Sequence, residues 1–348
     1  MSGPEASVDL GAFRRNLAAL RARVAPAAVM VVVKADAYGH GLLPIAHAAV
    51  EAGVGWVGSL DIATALELRM GGIPTDVAIL AWLFAPTDDY ARAIDAGIDL
   101  GVSSVEQLEQ IAAAGAERGA RIHLKIDTGL HRNGADAADW PALVSRAVEL
   151  RDTVELVGVW THIAEASEAE DTEAIARFHD AVAVAERLGA AFTVRHLAAS
   201  AASFARADAR LDLVRIGAFA YGISPGGGVA PSSLGLEPVM TLSAPVYAVD
   251  DGVAEIAIGF GDGISSTAAG ALGIAINGRR FGIDSVGLDS MTVAVGTAPV
   301  FPGDTAVLFG SGSAGECTLQ EWGDALGTIG EEIVARLSPR IRRRFVES

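Results

Sequence analysis

A single cysteine, Cys317, stands among 348 residues, so no disulfide framework is available and the usage fits a reducing cytoplasm. Positive charge is scarce as well: 26 Lys and Arg against 43 Asp and Glu leave a formal net charge of -17. So acidic a surface repels a nucleic-acid duplex or an anionic membrane unless its few basic residues are clustered. The one basic run, Arg340-Ile341-Arg342-Arg343-Arg344, reads as a stabilised tail or a subunit contact. The N-terminus, Met1-Ser2-Gly3-Pro4-Glu5, lacks a basic region followed by an apolar core, and no stretch of membrane-spanning length is free of polar residues. The expectation is a cytoplasmic protein without nucleic-acid or membrane partners.

What the chain does have is length and apolar content. At 348 residues and 51% hydrophobic composition it exceeds the usual single domain and has ample material for a core. From about residue 8 to 225, short apolar runs alternate with Ala/Leu-rich helical patterns, the signature of βα units. Eight strands are predicted, over 29–33, 56–59, 77–82, 99–102, 122–126, 156–160, 193–197 and 213–216. Helices are predicted between them, for example over 62–70 and 105–115. Residues 8–225 therefore read as a (β/α)8 barrel, with a doubly wound open sheet as the structural alternative. After Gly222-Ile223-Ser224-Pro225-Gly226-Gly227-Gly228 the texture changes to short Val/Ala/Ile segments with turn signals at Asp251-Gly252, Asn277-Gly278 and Pro302-Gly303-Asp304. Residues 226–348 read as a mostly β domain, joined by residues 1–7, with helices over 319–327 and near 329–337.

Lysine at the end of a buried parallel strand is the candidate with the sharpest chemistry. Val31-Val32-Val33 leads into Lys34, and Ala35-Asp36-Ala37-Tyr38-Gly39-His40-Gly41 reads as the loop leaving the catalytic end of a barrel strand. An ammonium desolvated there loses pKa and becomes nucleophilic toward an aldehyde, so it can form a Schiff base. Val-Lys-Ala-Asp-Ala-Tyr-Gly-His-Gly resembles the cofactor-lysine motif of the alanine racemase family. The resemblance implies that Lys34 carries pyridoxal 5'-phosphate and that Tyr38 contacts its phosphate.

Four further stretches carry the likeness. Lys125-Ile126-Asp127-Thr128-Gly129-Leu130-His131-Arg132-Asn133-Gly134 is similar to the family's Lys-x-Asp-Thr-Gly-x-x-Arg-x-Gly. It implies that Arg132 reaches the substrate carboxylate, a task suited to a guanidinium, and that Lys125, carbamylated in some members, braces it. Trp160-Thr161-His162 places His162 where the family has a histidine beside its second base. His196-Leu197-Ala198-Ala199-Ser200-Ala201 resembles His-x-Ala-Asn-Ser-Ala, with Ser200 at the phosphate-contacting serine and Ala199 where asparagine is usual. Val214-Arg215-Ile216-Gly217 matches Val-Arg-x-Gly, which implies that Arg215 bonds the pyridine nitrogen and that the Gly217 amide helps to bind phosphate. A permanently charged donor at that nitrogen favours simple α-proton removal.

The likeness thins in the second domain. The family's Gly-Tyr-Ala-Asp-Gly, which supplies a tyrosine base from the partner subunit, reads here Gly259-Phe260-Gly261-Asp262-Gly263, and a phenyl ring cannot transfer a proton. Val249-Asp250-Asp251-Gly252-Val253 is shorter than the usual preceding hairpin, Leu288-Asp289 stands at the substrate-contacting Met-Asp, and Asp284-Ser285 replaces Gly-Arg. Glu331 takes the place of a phosphate-contacting tyrosine, and a carboxylate facing that dianion would be repelled unless it turns away or the phosphate site is rearranged. The expectation is a homodimeric enzyme acting on the α-proton of a small amino acid, with two-base racemisation weakened or altered. Two alternatives stay open: a retro-aldol lyase of β-hydroxy amino acids, and a non-catalytic or regulatory protein that only carries the cofactor.

Overall fold

The computed structural model describes residues 3–116, 118–226 and 228–348. Contacts gather into two compact units, one of Leu20–Lys34 and Ala49–Gly217, the other of Met1–Ala19, Ala35–Ala48 and Ala218–Ser348.

The first unit holds eight parallel strands, Ala28–Val32, Trp56–Leu60, Ala78–Ala81, Ile98–Val102, Ala120–Lys125, Val154–Trp160, Val194–His196 and Leu213–Ile216. These are the first to eighth barrel strands below. Each pairs with its predecessor up to the seventh, and the eighth pairs with the first, Met30 opposite Arg215 and Val31 opposite Ile216. The ring closes between the seventh and eighth, where the amides of Asp212 and Arg215 donate to the carbonyls of Arg195 (3.2 Å) and Ala198 (3.0 Å). Closure removes the open-sheet alternative, since an open sheet would leave two unpaired edges. The strands are rich in β-branched residues and nearly all of the first strand is buried, as a sheet covered on both faces requires. Side-chain caps set where helices begin: Asp61 accepts from the Thr64 amide ahead of Ile62–Met70, and Ser104 from the Gln107 amide ahead of Val105–Ala114.

The second unit is mostly β. Met240–Asp250, Val253–Ile256, Met291–Ala294, Arg279–Val286, Gly273–Ile276 and Thr305–Gly310 form a six-stranded antiparallel ring, closed by pairing of Thr305–Gly310 with Met240–Asp250. Asp251 (φ 45°) and Gly252 (φ 76°) both take left-handed backbone between the first two strands, the two-residue turn that a short Asp-Gly hairpin demands. Glu5–Asp9 adds to the edge of Met240–Asp250, and Arg342–Val346 pairs in parallel with Glu5–Asp9. Most of the basic run is therefore a strand of this sheet, a tail stabilised within its own unit. Its charges are used internally: Arg340 bonds Asp262 (2.7 Å), Arg343 donates to the Gly39 carbonyl (3.1 Å) and Arg344 bonds Glu5 (2.6 Å). Among the described residues no helix is long and apolar enough to cross a membrane.

Candidate active site

Strand ends of the barrel unit gather Lys34, Lys125, Arg132, His162, Ser200, Arg215 and Gly217. The loop after the fifth strand is organised by Asp127, whose Oδ1 accepts from the amides of Gly129 (2.9 Å) and His131 (3.1 Å). Gly134 takes φ 109° and a Cβ there would lie 2.8 Å from the Asp127 nitrogen, so the final glycine of the Lys-x-Asp-Thr-Gly-x-x-Arg-x-Gly pattern is needed for close approach. Arg132 rides exposed on this loop. Lys125 braces it through the backbone: Nζ donates to the Arg132 carbonyl (3.0 Å) and to Oδ1 of Asn133. Burial, then the charges of Arg215 and Arg132, lower the Lys125 pKa to about 7, which brings the neutral amine into reach near neutral pH.

Register places Lys125, Trp160 and His196 side by side on adjacent strands. The indole of Trp160 stacks on the His196 ring (centroids 5.4 Å apart, planes at 8°), with Lys125 Nζ 4.5 Å and the Arg215 guanidinium 4.9 Å from its centroid. Arg215 is buried and starts a hydrogen-bonded chain through the barrel. Its Nη1 lies 2.9 Å from Nδ1 of His196, Nε2 of His196 lies 3.0 Å from Nδ1 of His123, and Nε2 of His123 lies 3.2 Å from Oδ2 of Asp99. A guanidinium has only donors, so His196 must accept at Nδ1 and carry its proton on Nε2. That N–H then donates to His123, whose own Nε2–H donates to Asp99. Every proton in the chain points toward the carboxylate. Asp99 keeps its charge: although burial opposes ionisation, His123 and Arg121 hold its pKa below the usual value. A Cβ on Gly158 would fall 2.2 Å from Nδ1 of His123, so glycine at that point of the sixth strand is what leaves room for the chain.

His162 meets the same guanidinium. Nη2 of Arg215 bonds its Nδ1 (3.0 Å) as well as the carbonyls of Thr161 (2.8 Å) and Leu197 (2.9 Å). Burial, and then Arg215, Arg132, Lys125 and Lys34, push its pKa down to about 2. The ring is neutral with its proton on Nε2, a donor at neutral pH and a poor base. For Arg215 itself, burial lowers the pKa to about 9, which leaves it protonated at neutral pH. Beside it the Gly217 amide donates to the Ser200 hydroxyl (3.0 Å).

In the β unit, Ala35, Asp36, Ala37 and Tyr38 form a left-handed turn, with φ from 52° to 55°. Such backbone costs roughly 1–2 kcal/mol per non-glycine residue. Local bonds offset the strain: Oδ1 of Asp36 accepts from the Leu42 amide (2.7 Å), and Nδ1 of His40 lies 3.0 Å and 2.9 Å from the carbonyls of Ala37 and Tyr38. The Ala-Asp-Ala-Tyr-Gly-His-Gly motif thus encodes a stitched turn. Tyr38 is buried against Tyr221 (centroids 5.0 Å), and its phenol is held protonated by burial and by the charge of Glu331. Glu331 therefore lies close enough to Tyr38 for its charge to be felt there.

Phe260 sits in a loop fixed from beneath by the buried Asp262, which accepts from the Gly259 amide (3.1 Å) and from Arg340 (2.7 Å). The amides of Phe260 and Gly261 donate to the carbonyls of Gly287 (2.8 Å) and Leu288 (2.7 Å). The anchoring leaves Phe260 51% and Leu288 62% exposed, with Asp289 exposed next to them.

The family model for the alanine racemase N-terminal domain matches residues 8–225, and that for the alanine racemase C-terminal domain matches residues 244–345. The chain belongs to the alanine racemase family. It is 43% identical to the alanine racemase of Thermobifida fusca over 98% of this chain and 97% of that one. The crystal structure of alanine racemase from D-cycloserine producing Streptomyces lavendulae superposes with a TM-score of 0.96 at 37% identity, covering 100% of this chain and 98% of that one. The Clostridium difficile alanine racemase in complex with cycloserine does so with a TM-score of 0.91 at 26% identity, covering 100% and 96%. Within this family chain the sequence reading missed Asp99 and His123, which lie inside strands read only as apolar. Period-two alternation was the available signal, since His123 falls two residues before Lys125 on the same strand face.

Proposed function

We propose that the chain is a pyridoxal-phosphate-dependent enzyme that acts on the α-proton of alanine or a similar small amino acid, with two-base racemisation weakened by Phe260. The observation that carries this is the barrel-mouth group of Lys34, Arg215, Ser200 and Gly217 in a chain matched along both domains to alanine racemases. These residues fit the cofactor. The Ser200 hydroxyl and Gly217 amide, already 3.0 Å apart, suit a phosphate, and Arg215 suits an unprotonated ring nitrogen because, with a pKa lowered by burial only to about 9 and supported by the charge of Glu165, it stays a charged donor at neutral pH. When bound, pyridoxal phosphate supplies the electron withdrawal that acidifies the Cα–H bond of an attached amino acid.

The protein's share is positioning and proton handling. Arg132 binds the substrate carboxylate from a loop held by Asp127 and Lys125. The neutral form of Lys125 is the one that carbon dioxide would carbamylate. Lys34 takes and returns the proton on its own face, in the family that of the D-isomer. His162 offers Nε2–H and leaves the opposite face without a base. In deuterium oxide, deuterium should therefore enter D-alanine at least about tenfold faster than either isomer converts to the other, read by mass spectrometry with chiral separation. Equal rates would remove the one-sided reading. The lyase and cofactor-carrier alternatives have no observation in their favour beyond Phe260, and the match to both domains argues against a carrier.

The assembly proposed is a two-fold homodimer in which Phe260, Leu288 and Asp289 of one copy complete the barrel site of the other. It is supported by the exposure of the apolar Phe260 and Leu288 on two adjacent loops that are tied to each other through backbone bonds. Light scattering should give twice the monomer mass; monomer alone at micromolar concentration would remove the proposal.

A further inference from the structure

Ala199 precedes the short helix Ser200–Ala205 and has no side chain with which to cap it. The Ala202 amide is the donor a cap would satisfy, and Ala202 is buried, so water does not replace a lost partner cheaply. In this chain Oε1 of Glu165, on the loop after the sixth strand, accepts from that amide at 2.9 Å. Glu165 is held for the task. Its backbone is left-handed (φ 55°), and its own amide donates to Oδ1 of the buried Asp171 at 3.0 Å. The capped helix is the one whose Ser200 hydroxyl meets the Gly217 amide at 3.0 Å.

We infer that Glu165 is a positioning residue that caps the Ser200 helix from the neighbouring loop, in place of a side chain at position 199, and so keeps Ser200 and Gly217 in register for a phosphate. The phosphate part rests on the cofactor reading above; the cap does not. Glu165 also sets a carboxylate beside the site where a dianion would bind. A neutral residue of the same shape keeps the cap and removes the repulsion.

The test uses four forms of the full chain: wild type, Glu165→Ala, Glu165→Gln, and Glu165→Ala combined with Ala199→Asn. Melting temperature without cofactor and affinity for added pyridoxal phosphate, by absorbance titration, are both read. Glu165→Ala should melt lower and bind about tenfold more weakly. Glu165→Gln should melt like wild type and bind as tightly or tighter, and Ala199→Asn should restore both properties to Glu165→Ala. The inference is overturned if Glu165→Ala matches wild type, if Glu165→Gln is as weak as Glu165→Ala, or if Ala199→Asn gives no rescue. A wild type that takes up no pyridoxal phosphate overturns the cofactor reading and the phosphate role with it, while the melting order still decides the cap.

Discussion

Replacing Lys34 with alanine should abolish covalent capture of pyridoxal phosphate by borohydride reduction and lower turnover of alanine by at least about 10³-fold. The chain is unusually well suited to this measurement, because Lys34 and Lys125 are its only lysines. Both lie at barrel strand ends, and both are therefore candidates on position alone. They differ in what holds them: Lys125 is clamped by the Arg132 carbonyl and Asn133 and sits over Trp160, with a pKa lowered to about 7. An amine so committed braces a loop. Lys34 lies two residues beyond the first strand, near enough to His162 for its charge to help depress that ring's pKa. After reduction and digestion the wild type should carry the cofactor on the Lys34 peptide only. Retention of label by the Lys34→Ala form would refute the assignment, and a label on Lys125 would move the cofactor to the fifth strand.

How much of this was legible depended on whether the information was local. Each of the eight strands announced itself as a short apolar run, and no observed end departs from the predicted one by more than two residues. The placement of the motif lysines, arginines and Ser200 at the strand ends was legible because their residue types and spacing are contiguous in sequence. The left-handed turn over Ala35–Tyr38 was not, since four successive non-glycine residues in that region run against local propensity, and the bonds of Asp36 and His40 that sustain them are visible only in three dimensions. Nor was the Asp99, His123, His196 and Arg215 chain, which draws one residue from each of four strands. The basic run was legible only in part. Read alone it is a stabilised tail or a subunit contact, but the partners that stabilise it, Asp262, Gly39 and Glu5, are far away in sequence, and so is the strand Glu5–Asp9 with which it pairs.

Phe260→Tyr should raise the interconversion of L- and D-alanine by about 10²-fold or more, toward the ~10²–10⁴ that a positioned general base contributes, while leaving deuterium exchange into D-alanine nearly unchanged. The asymmetry follows from the groups on each face. In the proposed site Lys34 would serve one face in either form, so its exchange should not depend on residue 260. On the other face the proposal leaves the wild type without a base: Phe260 has no ionisable group, and His162 is a poor substitute, because Arg215 occupies its Nδ1 and its pKa is lowered to about 2. A phenolic hydroxyl restores a group that can lose and regain a proton. Folding should tolerate the change, since the Phe260 ring is half exposed and the loop is held through Asp262 and backbone bonds to Gly287 and Leu288, none of which involves the ring. Recovery should be partial, because Glu331 still bears on Tyr38 and the hairpin at Asp251-Gly252 is still short. Wild-type interconversion near ordinary turnover, about 10 s⁻¹, would mean that another group already serves the second face. That result would end the reading of Phe260 as a disabling change, and a Phe260→Tyr form no faster than wild type would do the same.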